Sequence, residues 1–172
     1  MKSGLLMLYV GSRSGTAAMA LGQTMRAIGR RFRICYIQFC QNTSLSETFR
    51  VNRYKELLEF HPFQKTLTDF DPERENGESL ARSWNMAQKA IVSGEFRIMV
   101  LEGMAEVLES GVLNGESIVH FLTGGSTDTD IIVTGRNAPP YLMDAADLVT
   151  EVRETCNNPT DVPVLDGSVG RE

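Results

Sequence analysis

The residues Gly11-Ser12-Arg13-Ser14-Gly15-Thr16-Ala17 follow an apolar run at 5–10 and lead into an amphipathic pattern. A strand, a glycine-bearing turn and a helix in that order offer unpaired backbone N–H groups and the positive end of a helix dipole, which suits phosphate. In a working phosphate loop, a lysine after the last glycine adds a mobile cation and the next Ser or Thr hydroxyl ligates Mg²⁺. Here those two positions are Thr16 and Ala17. Thr16 can hydrogen-bond but carries no charge, and Ala17 can do neither job. Arg13 is the cation available to substitute. Gly-x-x-x-Gly is also the spacing of a plain tight turn between strand and helix.

Two other places can carry chemistry. Glu102 ends the apolar run in RIMVLEGMAE, the position where a phosphate-loop protein keeps the carboxylate that holds Mg²⁺ through water. The same acid would equally suit the start of a helix. In DIIVTGRNAPPYLMD, Gly135 permits an unusual turn and the two prolines suit a first helical turn. Arg136 and Asn137 then lie at the end of a strand, where arginine can grip phosphate or carboxylate bidentately or pair with Asp144 or Asp147. His61 and His120 form no cluster with Cys35, Cys40 and Cys156, whose spacing is not that of a metal site. No Gly-x-Ser-x-Gly nucleophile turn is present, and Trp84 lies on an apolar helical stripe, as a core residue would.

The elements that must hold these loops alternate. Near-continuous apolar runs at 5–10, 33–39, 96–101, 130–134 and 148–152 read as strands covered on both faces. Ala18, Leu21, Met25 and Ile28 make one helical stripe, and Leu80, Trp84, Ala87 and Ile91 another. A third helical stretch falls within 104–122, with a break near 111–115. Residues 45–58 suggest a helix, followed by a less regular piece through Pro62. The pattern predicts an α/β domain with a mainly parallel sheet and helices on both faces. Ligands in such sheets sit at the carboxyl ends of the strands, here the loops at 11–15, 38–44, 102–105 and 135–140.

With 172 residues, 42% hydrophobic and 23% charged, the chain is expected to form one domain over 1–154, with an extended or mobile tail over 155–172. A net charge of −5 gives no sign of a nucleic-acid surface. No apolar run reaches the ~20 residues of a membrane span. With no signal-peptide pattern and an odd cysteine count, a reduced cytoplasmic protein is the expectation.

Taken in order, these motifs resemble the short, P-loop type of ATP:corrinoid adenosyltransferase. The strongest match is VTGRNAPPYLMDAADLVTEVRE, similar to that family's TGRNAPP…ADLVTE block. MRAIGRRFRICYIQF, SWNMAQKAIVSGEFRIMVLE and GSRSGTAAMALG stand where the family has a helix–turn–strand, a tryptophan helix with its strand, and the loop. The similarity covers roughly residues 4–154. It implies a Rossmann-like P-loop fold, commonly a homodimer. It also implies MgATP in the loop, bound by Gly11 to Ala17 with Arg136 and Asn137, and Glu102 toward Mg²⁺. The substrate is a Co(I) corrinoid that attacks the 5′-carbon of ATP and displaces triphosphate. Phe70 matches an aromatic residue that helps remove the lower ligand of cobalt, while Pro72 stands where the family has tryptophan.

The departures fall on the chemistry. The family's Gly-Asn-Gly-Lys-Gly-Lys-Thr-Thr is Gly11-Ser-Arg-Ser-Gly-Thr-Ala-Ala18, its Asp-Glu pair is Glu102-Gly103, and the lysine after Gln-Phe-Ile is Gln41. Three readings stay open: an adenosyltransferase relying on Arg13 and Arg136, a nucleotide- or corrinoid-binding homologue without catalysis, and a structural partner of an active enzyme.

Overall fold

A computed structural model describes residues 4–40, 54–63, 77–124 and 128–155. The expected tail from residue 156, Phe70, Pro72, Gln41 and Cys156 lie outside the described residues. The elements in chain order are β1 Leu6–Gly11, α1 Arg13–Gly29, β2 Ile34–Gln38, β3 Leu58–His61, α2 Gly77–Ser93 and β4 Ile98–Glu102. They continue with α3 Met104–Ser110, α4 Gly115–Gly124, β5 Asp130–Gly135, α5 Pro140–Ala145 and β6 Leu148–Val152. The six strands form one sheet in the order β3-β2-β4-β5-β1-β6, and every pairing is parallel. The fold is an α/β Rossmann-like P-loop architecture.

The strands alternate two buried sets, which explains their unbroken apolar character. Leu6, Leu8, Val10, Cys35, Ile37, Met99, Leu101, Ile131 and Val133 face α2, α3, α4 and α5. Tyr9, Ile34, Tyr36, Leu58, Val100 and Ile132 face α1. The α2 stripe of Leu80, Trp84, Ala87 and Ile91 is buried as its spacing predicts. Trp84 stands edge-on to Phe121 with ring centroids 5.6 Å apart. Gly94 takes φ +65° just after α2, and Gly111 takes φ +71° in the expected break between α3 and α4. Asn114 caps α4 by accepting from the Ser117 N–H at 3.0 Å.

Two expectations are corrected. The helix expected through residue 58 does not extend there: residues 54–57 are turn and Leu58 opens the edge strand β3. Its Leu-Glu-Phe-His alternation buries one side only, so it lacks the apolar run of the inner strands. On α1 the fully buried positions are Thr16, Ala17, Ala20, Thr24 and Ala27, while Ala18 is exposed. Small residues let α1 lie close on the sheet, and Leu21, Met25 and Ile28 wrap its flanks, partly buried. Hydrophobicity marks those flanks, whereas residue size marks the contact.

This packing generates a paired prediction. Ala20→Leu should overpack the α1–sheet contact and cost about 1–3 kcal/mol, whereas Ala18→Leu should stay within about 0.5 kcal/mol of the native chain. Urea unfolding of the two variants compares them directly, and equal effects would contradict the assigned face.

Candidate functional site

The carboxyl ends of the strands bring Gly11, Gln38, Glu102, Gly135 and Val152 to one side of the sheet. The turn after β1 is very short, because Ser12 alone separates Gly11 from the start of α1. Gly11 adopts φ +120°, and a Cβ there would overlap the Val152 carbonyl, so only glycine fits. Its N–H donates to the Arg136 carbonyl at 3.0 Å, and the Ser12 N–H donates to the Val152 carbonyl at 3.0 Å.

Two donors further along the turn are also engaged. Ser12 is the N-cap of α1, its Oγ accepting from the Gly15 N–H at 3.3 Å. Its carbonyl accepts from the Thr16 N–H at 2.8 Å. The Thr16 hydroxyl turns back to donate to the Arg13 carbonyl at 3.2 Å. Thr16 and Ala17 are buried, only 2% and 4% exposed. The Ser14 hydroxyl donates to the Glu154 carboxylate, and Ser12 Oγ lies 3.1 Å from Ser14 Oγ. Hydrogen bonds from Ser12 and Ser14 hold the Glu154 carboxyl below its usual range. An acid from the segment after β6 thus sits at the amino end of α1, where the dipole favours negative charge.

Beside this turn lies a charged cluster that centres on Glu106, a residue the sequence reading passed over. Glu106 is 8% exposed; its Oε1 accepts from the Arg136 N–H at 3.0 Å, and its Oε2 is buried without a hydrogen-bond partner. Burial raises its carboxyl, opposed by the Arg136 N–H, its own backbone N–H and the charges of Arg13 and Arg136. Arg13 therefore directs its field inward, and its Nε is buried without a partner. Gly135 makes room for the arrangement: a Cβ there would meet Glu106 Oε2 and the Ala105 Cβ, each at 2.5 Å. Arg136 and Asn137 themselves are exposed. Asp147, one of the partners considered for Arg136, is used at the opposite end of the sheet, accepting from the Leu6 N–H at 2.8 Å.

Glu102 lies deeper. It is 2% exposed and accepts from Gln38 Nε2 at 2.9 Å. The Tyr36 phenol is pushed up by burial and by this carboxylate. Gly103, at φ +76°, leaves the space that Cys40 fills and donates its N–H to Thr134 Oγ1 at 3.1 Å. Cys40 is buried, its thiol pushed well up by burial first and then by Glu102 and Glu106. On the far side of β2, a cavity of about 300 Å³ opens between Gln38, His61, Phe63, Ser79, Arg82 and Met86. Another, of about 360 Å³, lies at the amino ends of the strands among Arg26, Arg30 and Arg97.

A model of the family "ATP:corrinoid adenosyltransferase BtuR/CobO/CobP" matches residues 2–161. The chain belongs to this family. It is 25% identical over 151 residues to the corrinoid adenosyltransferase of Pseudomonas aeruginosa, covering 87% of this chain and 74% of that one. It is likewise 25% identical over 156 residues to the corrinoid adenosyltransferase of Escherichia coli K12, covering 87% and 76%. Among solved structures, the flagellar accessory protein FlaH of Methanocaldococcus jannaschii superposes with a TM-score of 0.64 at 12% identity, over 87% of this chain and 71% of that one. That likeness is one of fold alone. No helix among the described residues is long and apolar enough to cross a membrane.

Glu106 was missed because the family-like acid, Glu102, drew attention to the end of β4, while Glu106 lies one helical turn further on. Its signal was present in the sequence as an acid in the first turn of a helix. The raised carboxyl gives a signed expectation. A group whose folded value is raised contributes stability fully present below its unfolded value of about 4.3, and this is lost as pH rises through the folded value. Glu106→Gln keeps the acceptor for Arg136 and cannot titrate. Urea-unfolding stability should therefore decline less with rising pH in Glu106→Gln than in the native chain. Parallel pH profiles would show that this carboxyl is not raised.

Proposed function

We propose that this chain is a family member that has given up the triphosphate step and acts as a non-catalytic, corrinoid-binding homologue. One observation carries the reading: several groups of the phosphate turn are engaged by its own chain. The Ser12, Gly15 and Thr16 N–H groups are taken by Val152 and Ser12, and Glu154 occupies the hydroxyl of Ser14. An incoming triphosphate would have to break these contacts and meet a carboxylate.

The residues present do not fit MgATP in the way the family resemblance implies. Ala17 brings no hydroxyl to a metal, Glu102 is turned to Gln38, and the positive charge of Arg13, felt at Glu106, opposes a divalent cation nearby. A charge-assisted hydrogen bond contributes about 1.5–3 kcal/mol. Losing the lysine and a metal ligand together thus weakens binding by about two orders of magnitude or more. Stabilisation of a leaving triphosphate is lost in the same place. Support for a retained corrinoid side is the family membership, together with the cavity between β2, β3 and α2. Homodimer assembly, implied by the same resemblance, belongs to this proposal.

A residual adenosyltransferase is the second reading. It is favoured by the fields of Arg13 and Arg136, which both reach Glu106 and Cys40 and could in part replace the lysine's charge.

Calorimetry with MgATP separates the two. The native chain should give no saturable heat at micromolar concentrations, whereas Thr16→Lys with Ala17→Thr and Glu154→Gln should bind. Thr16→Lys with Ala17→Thr alone should bind more weakly than the triple variant. Micromolar binding by the native chain, followed by MgATP-dependent formation of an adenosylcorrinoid from Co(I) corrinoid, would overturn the non-catalytic reading.

A further inference from the structure

The β2–β3 pairing brings together residues that the sequence shows no reason to associate. Cys35 is directly opposite Glu59 in the parallel register, and His61 is opposite Ile37. Side chains at paired positions share a face, and positions two apart on a strand do so too. Cys35, Glu59 and His61 therefore project to the same side of the sheet edge. Their ligating atoms all lie within 4.8 Å of one another, and His61 Nε2 is 2.7 Å from Glu59 Oε1. The expectation that no histidine joins a cysteine is thus corrected, because β3 was read as helix and irregular chain.

We propose that Cys35 Sγ, the Glu59 carboxylate and His61 Nε2 form a binding site for a borderline divalent cation of the Zn²⁺ type. Thiolate, imidazole and carboxylate are together the ligand set that Zn²⁺ takes, at about 2.3 Å for sulfur and 2.0–2.2 Å for nitrogen and oxygen, and that Mg²⁺ does not. Those bond lengths require only small adjustments of ligand atoms already this close. Three protein ligands leave a fourth position to water. The polar, roomy cavity lined by His61, Ser79 and Ser83 lies alongside. Burial is graded as such a site needs: Cys35 is fully buried, while the His61 and Glu59 side chains are 29% and 49% exposed, so an ion can enter from solvent. Bound there, the ion would pin the short edge strand β3 to β2. The site is independent of the corrinoid reading and stands or falls without it.

The experiment is a titration of the full, reduced chain with Co²⁺ as a spectroscopic probe, followed by displacement with Zn²⁺. The expected result is one equivalent bound, with a sulfur-to-cobalt charge-transfer band and the intense visible bands of a four-coordinate ion. Zn²⁺ should abolish both. Cys35→Ser should remove the charge-transfer band, and His61→Ala, which removes a direct ligand, should weaken Zn²⁺ binding by at least the ~10–100-fold that loss of an outer-shell partner costs. His61→Ala, at a partly exposed position, keeps the test valid should Cys35→Ser fail to fold. Cys40→Ser, Cys156→Ser and His120→Ala should leave the spectrum unchanged. Absence of the charge-transfer band in the native chain, or its persistence unchanged in either Cys35→Ser or His61→Ala, would overturn the proposal.

Discussion

The backbone ladder on either side of β1 sets the position of everything at the candidate site. β1 is held between β5 and β6, and at its carboxyl end Gly11 donates to Arg136 while Ser12 donates to Val152. Buried backbone groups must be paired, so these bonds are as obligatory as the core contacts beneath them. They also clamp three loops together at one point. The turn after β1, the Arg136-Asn137 turn after β5 and the chain leaving β6 cannot move independently. Glycine at position 11 is the price of that closeness, since a side chain would collide with Val152.

From this clamp follows the electrostatic centre. Arg136 is brought beside α3, and its N–H meets Glu106, while Arg13 on the first turn of α1 adds a second positive charge nearby. Cys40 fills the space left by Gly103 and experiences all of these charges without itself being ionised. The cluster is sealed by small residues, Gly103, Ala105 and Gly135, at which a larger side chain would force apart the elements that compose it. Glu102, tied to Gln38 one layer further in, stiffens the same end of β2 and β4.

Much of this was legible in the sequence, for reasons that can be named residue by residue. The inner strands announced themselves because both faces are buried, so Ile34-Cys-Tyr-Ile and Ile131-Ile-Val have no polar interruption. Trp84 could be placed because its stripe is the only broad apolar face α2 has. The edge strand β3 could not be read, since one face meets α1 and the other carries Glu59 and His61 near solvent. With β3 missing, the neighbours of Cys35 were invisible. The buried face of α1 was misjudged for a different reason: close packing selects alanine and threonine, residues with little hydrophobic signal. At the phosphate turn, the missing lysine was evident from Thr16, but Glu154 was not, because strand pairing rather than sequence proximity brings it to Ser14.

That last contact bears on the non-catalytic reading proposed for this chain. A helix amino end leaves N–H groups that need acceptors, and an anion normally bound there meets that need. When Thr16 and Ala17 stand in place of a lysine and a hydroxyl, the anion is held less well, and the same N–H groups are left to solvent or to the chain. Here the chain supplies Ser12 as cap and Glu154 as resident carboxylate. At the first turn of α1 the Ser12 and Gly15 N–H groups are thus satisfied without a ligand. On the non-catalytic reading, loss of the lysine and closure of the turn are two sides of one change, and restoring the charge alone leaves Glu154 competing for the same place. The competition is local, because Glu154 is exposed and lies two residues beyond β6, the last strand among the described residues. Its removal therefore opens the turn without disturbing the ladder that holds β1.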